Sequence, residues 1–169
     1  MFERFSPHGY AYTRAAELLQ IAVMPRRGTH DFLHGEITAS IIGCMQEVHS
    51  ELGFGYREHI YSLALEQLLV AKGHRVDREL AVMVYFRGQP LATQVLDMIV
   101  GGKVAVELKT GEALKDAATV QLFGYLCATT LEVGLVLHFG RTARAHRVFF
   151  ENKFKKHLRK DCETATEIL

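Results

Sequence analysis

The chain alternates between two hydrophobic periods, and the switches mark its elements. Ile37, Ile41, Met45, Val48 and Leu52 recur at helical spacing, so Glu36 to Glu51 is expected to form an amphipathic helix. Leu52-Gly53-Phe54-Gly55 ends it, and a second helix is expected from Tyr56 to Lys72, with Ile60, Leu63, Ala64, Leu68 and Leu69 apolar and Gly73 as its stop. The period then becomes two. Val76, Leu80, Val82, Val84 and Phe86 fall on alternate positions, interrupted by Arg78. Arg87-Gly88-Gln89-Pro90 reads as a turn, followed by strands over Leu91–Val100 and Lys103–Thr110 that meet at Gly101-Gly102. A third helix is expected over Asp116–Thr129, then strands over Glu132–Phe139 and Arg144–Phe150. A hairpin-built sheet followed by a helical crossover implies an α/β domain, a mixed sheet with helices on its faces.

Residues 35–150 carry this regular pattern. Residues 1–34 stand apart as an N-terminal extension, with a short helix expected over Ala11–Val23 before Pro25-Arg26-Arg27-Gly28 breaks it. That segment reads either as a docking arm or as a lead-in ahead of Met24. Residues 151–169 read as a polar, basic tail, helical or frayed.

Composition narrows the class further. A chain of 169 residues, 49% hydrophobic and 23% charged, is of single-domain size and can bury a core without disulfides or a structural metal. Its three cysteines, Cys44, Cys127 and Cys162, are widely spaced and form no CxxC pair, which argues against a zinc ribbon or an iron–sulfur cluster. No apolar run is long enough for a membrane span and no leader pattern opens the chain, so a cytoplasmic protein is expected. A net charge of +1 implies no polyanionic partner by itself. Local charge says more: Arg141 to Lys160 holds eight basic residues and one acid, Glu151, a candidate edge for phosphate contact.

The chemistry concentrates in two strands. Asp97 lies within Val95-Leu96-Asp97-Met98-Ile99-Val100, and Glu107 and Lys109 within Val104-Ala105-Val106-Glu107-Leu108-Lys109. A carboxylate in an apolar strand is costly unless it is paired or binds a cation. Glu107 and Lys109 share a face because side chains alternate. The register of the hairpin decides where Asp97 points. A two-residue loop sets Asp97 and Glu107 on opposite faces, whereas the three-residue loop Gly101-Gly102-Lys103 pairs Val100 with Val104 and Asp97 with Glu107. The three-residue register is expected, with two carboxylates and one ammonium on one spot. Carboxylate oxygens, a backbone carbonyl and waters suit Mg2+ or Mn2+, and the bland alternative is a buried ion pair of Lys109 with either acid.

Five segments in order resemble the bacterial GxxExxY proteins of the PD-(D/E)XK nuclease superfamily. They are Val48-His49-Ser50-Glu51-Leu52-Gly53, Gly55-Tyr56-Arg57-Glu58-His59-Ile60-Tyr61, the Asp97 and Glu107-Leu108-Lys109 strands, Gln121-Leu122-Phe123-Gly124-Tyr125 (similar to the QxxxY motif of RecB-type nucleases), and Gly134–Gly140. The resemblance implies an αβββαβ restriction-endonuclease-like core and hydrolysis of nucleic acid, DNA being the expected substrate, by metal-activated water. It implies Asp97, Glu107, the Leu108 backbone carbonyl and Glu58 as metal ligands, with His49 as a further candidate, and Lys109 as the catalytic lysine. Gln121 and Tyr125, four apart on one helix face, are assigned to positioning substrate phosphate or Lys109. A homodimer or a separate protein partner is the candidate source of specificity, and a catalytically silent nucleic-acid-binding scaffold is the alternative function. His30, Asp31, His34 and Glu36 form another group, read as a solvated polar stretch.

Overall fold

The computed structural model describes residues 33–155. The expected helix over Ala11–Val23, the His30–Asp31 pair and the tail beyond residue 155 lie outside them. The elements are α1 (Gly35–Leu52), α2 (Glu58–Ala71), β1 (Val76–Phe86), β2 (Gln89–Val100), β3 (Val104–Thr110), α3 (Asp116–Ala128), β4 (Val133–Phe139), β5 (Ala143–Phe149) and a short 3-10 turn over Asn152–Phe154. Each helix and strand matches the expected element to within two residues at either end. All five strands form one sheet in the order β1-β2-β3-β4-β5. Only β3 and β4 run parallel. A parallel pair needs a long crossover, and α3 supplies it.

Two hydrophobic layers close the faces of the sheet. Ile41, Met45, Val48, Tyr61, Leu65 and Leu69 of α1 and α2 pack on Val106, Leu108, Leu135, Leu137 and Phe139. Leu122, Tyr125 and Leu126 of α3 pack on Ala105, Val136 and Val148 from the other side. These two layers bury the centre of the sheet on both faces, so β4 is buried at every position.

The β1–β2 hairpin departs from the expected pattern. Its outer half extends past the helices, so Tyr85, Phe86 and Leu91 are exposed although alternation places Phe86 on the inward face. Arg78, the polar interruption, reaches Glu66 of α2 at 2.9 Å. Next to it Glu79 adopts φ +52° and drops out of the ladder opposite Asp97. The alternation of β2 breaks at the same level: Leu96 joins the α3 layer, whereas Met98, two residues on, joins the α1–α2 layer. Regular alternation would put both on one face.

Candidate active site

The hairpin between β2 and β3 takes the three-residue register. Val100 pairs with Val104, Ile99 with Ala105 and Met98 with Val106. Gly101 and Gly102 both have φ above +60°, which a β-carbon disfavours, and Lys103 N donates to Val100 O at 3.1 Å. The ladder stops at Met98–Val106, the pair next to Asp97 and Glu107. Beyond it Asp97 Oδ2 accepts the Leu108 N–H at 2.7 Å, so a side chain continues what the main chain has left. In an extended strand a residue's N–H and C=O point to the same side. The Leu108 carbonyl therefore faces the β2 side as well.

Glu107 is 1% exposed, on the α3 side of β3 beside Val136. Its Oε1 accepts from Lys109 Nζ at 2.5 Å, and its Oε2 is buried with no hydrogen-bond partner. Burial pushes the Glu107 carboxyl up to about 7, partly opposed by the Lys109 hydrogen bond and reinforced by the Asp97 charge. Burial also raises Asp97, against the Leu108 N–H and the charge of Lys109. Burial disfavours the Lys109 ammonium, but its hydrogen bond to Glu107 and the surrounding carboxylates outweigh that and hold its pKa above the ordinary lysine value. One ammonium thus serves two half-desolvated acids, and the spot can accept further positive charge.

The α3 pair acts on β2. The Tyr125 hydroxyl donates to Val95 O, two residues before Asp97, and Gln121 Nε2 donates to that hydroxyl at 3.2 Å. Tyr125 is 2% exposed. Its hydroxyl thus ties α3 to the strand that carries Asp97.

Glu58 opens α2, and its Oε1 accepts the Thr110 N–H at 3.2 Å, next to Lys109 in β3. Its charge is felt at Asp97, Glu107 and Lys109. The tyrosine three residues on, Tyr61, is fully buried, stacks on Phe139 with centroids 4.2 Å apart, donates to Gly53 O at 2.9 Å and accepts from Tyr56 N at 3.3 Å. Gly55, at φ +111°, makes the turn that this clasp requires. The Gly55…Glu58…Tyr61 spacing therefore combines a turn, a helix-start carboxylate and a loop anchor. His49 has its Nε2 on Gly140 O at 2.8 Å. His138 was not singled out in the sequence, though a lone imidazole in Leu135-Val136-Leu137-His138-Phe139 was a visible signal. It pairs in register with Lys109, is 3% exposed, and bonds through Nε2 to Gly111 O at 2.9 Å, which fastens the loop after β3.

Among the described residues no three His, Cys, Asp or Glu side chains gather as a ready ligand cluster. The donors nevertheless fit a hard divalent cation. Two carboxylates are raised by burial, one has a buried oxygen with nothing bonded to it, and the Leu108 main chain lies against Asp97.

Fold and residues together define a nuclease-like α/β domain. The chain belongs to the PD-(D/E)XK nuclease superfamily, whose family model matches residues 35–149. A solved structure described as "Crystal structure of SSO0001" is similar at 18% identity and a TM-score of 0.45, covering 66% of this chain and 60% of that one. This chain thus spans about three-fifths of that relative's length. No curated protein matches. Nucleases of this superfamily generally use divalent metals. No helix among the described residues is long and apolar enough to cross a membrane.

Proposed function

We propose that the protein is a Mg2+- or Mn2+-dependent nuclease that hydrolyses phosphodiester bonds of nucleic acid, DNA being the expected substrate, and that it is one of the GxxExxY proteins. The observation that carries this reading is Glu107: a buried carboxylate in the centre of the sheet with one oxygen unbonded, beside Asp97 and Lys109. Asp97, Glu107 and the Leu108 carbonyl are the residues to hold the metal, with Glu58 completing the set or fixing a water. A divalent ion there polarises the phosphoryl group and lowers the pKa of a nearby water. Lys109 then orients the attacking water and offsets negative charge as it builds on the phosphoryl oxygens. Tyr125 and Gln121 hold β2 so that Asp97 stays beside Leu108.

The scaffold reading draws on one observation, that Lys109 already neutralises Glu107. Incubation with single-stranded and duplex DNA and with RNA, with and without Mg2+ or Mn2+, separates the two. Cutting that needs metal and disappears in both Asp97→Ala and Lys109→Ala supports the nuclease. Binding without cutting under every condition rejects it.

A further inference from the structure

The loop between α1 and α2 is anchored from within and apolar on its outside. Tyr61 clasps it at Gly53 O and Tyr56 N, and the Gly53 N–H closes α1 on His49 O at 2.9 Å. His49 in turn holds Gly140, at the end of β4, so the loop and the β4–β5 turn form one unit. On this fixed base two aromatic rings face solvent, Phe54 at 54% and Tyr56 at 51% exposure. The Arg141 guanidinium lies 5.3 Å over the Phe54 ring, and Arg57, next to Tyr56, is exposed. The next residue is Glu58, bonded to Thr110 beside Lys109. The rings and the two guanidinium groups therefore sit on and beside the loop that leads directly into Glu58.

Burying large apolar rings is favourable, so a sequence that exposes two on an anchored loop forgoes that gain. Rings flanked by arginines match one kind of ligand well. Base faces stack on aromatic side chains whatever their sequence, and guanidinium groups neutralise the phosphates between them. A duplex keeps its bases stacked on one another and has no free face to offer.

We propose that Phe54, Tyr56, Arg57 and Arg141 form a stacking platform that receives an unpaired nucleotide, so that single-stranded nucleic acid is the preferred substrate. This rests on the reading of the neighbouring acids as a nuclease centre, and it is tested by binding instead of cutting. Fluorescence anisotropy in EDTA, with the full chain, measures affinity for a labelled oligodeoxythymidylate, an oligouridylate and a blunt duplex of equal length. Wild type binds the single strands more tightly than the duplex. Tyr56→Ala and Phe54→Ala each weaken single-strand binding by roughly tenfold, the scale of one lost stacked base, with duplex binding unchanged. Tyr56→Phe keeps the ring and keeps the affinity. Arg141→Gln lowers the salt dependence of single-strand binding by about 0.7 in log–log slope, one phosphate contact. Thermal melts of the variants match wild type, since the rings are on the surface. Single strands bound no better than duplex, or alanine variants that bind like wild type, overturn the platform even if the protein cuts DNA. Strong ring-dependent binding without metal-dependent cutting keeps the platform and rejects the nuclease.

Discussion

Asp97 and Leu108 are joined by a side-chain bond where a main-chain one is expected, the Asp97 carboxylate accepting the Leu108 N–H at 2.7 Å. The β2–β3 ladder ends one pair earlier, and opposite Asp97 on its other side Glu79 leaves the β1–β2 ladder. Both neighbours thus release β2 at Asp97. The strand there is held by the Asp97 side chain and by Tyr125 on the Val95 carbonyl. A sheet opened at one residue leaves that residue's side chain to hold the strand.

Asp97→Asn retains an oxygen that can accept the Leu108 N–H but removes the charge. Folding is expected to persist, with a melting temperature equal to or above that of wild type because a half-buried charge is gone. Metal-dependent cutting is expected to fall by at least roughly a hundredfold, the scale of losing one principal electrostatic group. Asp97→Leu also strands the Leu108 N–H and is expected to lower stability by about 1–3 kcal/mol. Paired thermal melts and cleavage rates check both. An Asn variant that cuts at the wild-type rate removes Asp97 from the site.

Glu107 predicts a pH dependence with a definite sign. Its carboxyl is raised from 4.5 to about 7, so between these values the folded protein binds more protons than the unfolded chain. Stability from this group is complete below pH 4.5 and is lost as pH rises through 7. Glu107→Gln should flatten that window and raise the melting temperature at pH 8, while abolishing cutting, the pattern of an acid kept for function at a cost to stability. Mn2+ should raise the melting temperature of wild type at pH 8, and much less that of the variant, since a ligand held by the folded state stabilises it. A wild-type protein more stable at pH 8 than at pH 5 in this window, with the difference abolished by Glu107→Gln, contradicts the assignment.

Much of this arrangement was legible in the chain. The 3.6-residue period of Ile37, Ile41, Met45 and Val48 and the two-residue period of β1 specify their elements locally. Gly101-Gly102-Lys103 sets the register because two glycines accept the positive φ of a three-residue loop. The pairing of Asp97 with the Leu108 N–H was not legible, because it depends on where the ladder stops, a property of three strands together. His49 is a metal-side candidate by the resemblance alone, and its bond to Gly140, which ties α1 to the end of β4, was not legible. The Arg141–Lys160 span reads as one basic face, but Arg147 bonds Leu33 O, Lys153 pairs with Glu151 and Lys155 is buried. In each case tertiary contacts decide, and neither period nor spacing encodes them.

Tyr125→Phe deletes one hydroxyl and nothing else. The Val95 carbonyl loses its donor and Gln121 its acceptor. The expected loss of stability is about 1 kcal/mol. Cutting should fall by roughly tenfold or more if the bond fixes Asp97, since small misplacements are amplified in rate. The same variant should leave single-strand binding in EDTA unchanged, because the Tyr125 hydroxyl bonds Val95 and Gln121 and no residue of the aromatic platform. A change in binding equal to the change in rate would assign Tyr125 to the substrate instead of to β2.

Gly134 lets α3 approach the sheet. A β-carbon there meets the Leu122 side chain at 2.9 Å. Leu122 is fully buried, so it cannot swing away. Gly134→Ala is expected to cost about 1–3 kcal/mol by overpacking, read as a lower melting temperature. Because Tyr125 sits about one turn further along α3, the displaced helix should also slow cutting, and Leu122→Ala in the same chain should partly restore both. A neutral Gly134→Ala would mean that this contact is slack.

Lys155 offers a pH response of the same form but in a different window and with the opposite direction. It is 1% exposed, and its ammonium donates to Thr129 O at 3.0 Å and to Leu131 O at 2.5 Å, the carbonyls just past the end of α3. Burial pulls its pKa down to about 8, opposed by the charge of Glu132. Between 8 and the ordinary value of 10.5 the unfolded chain binds more protons than the folded one, so this group's penalty is complete below pH 8 and disappears as pH rises through the window. Lys155→Met removes the pH response but leaves both carbonyls without their donor. At pH 7 the two effects oppose each other: the lost buried charge favours the variant, and two orphaned carbonyls at about 1–3 kcal/mol each favour wild type. The second is expected to win, giving a lower melting temperature at pH 7 and a larger deficit at pH 9.5. A variant more stable than wild type at both pH values would show that the buried cation is a net burden on α3.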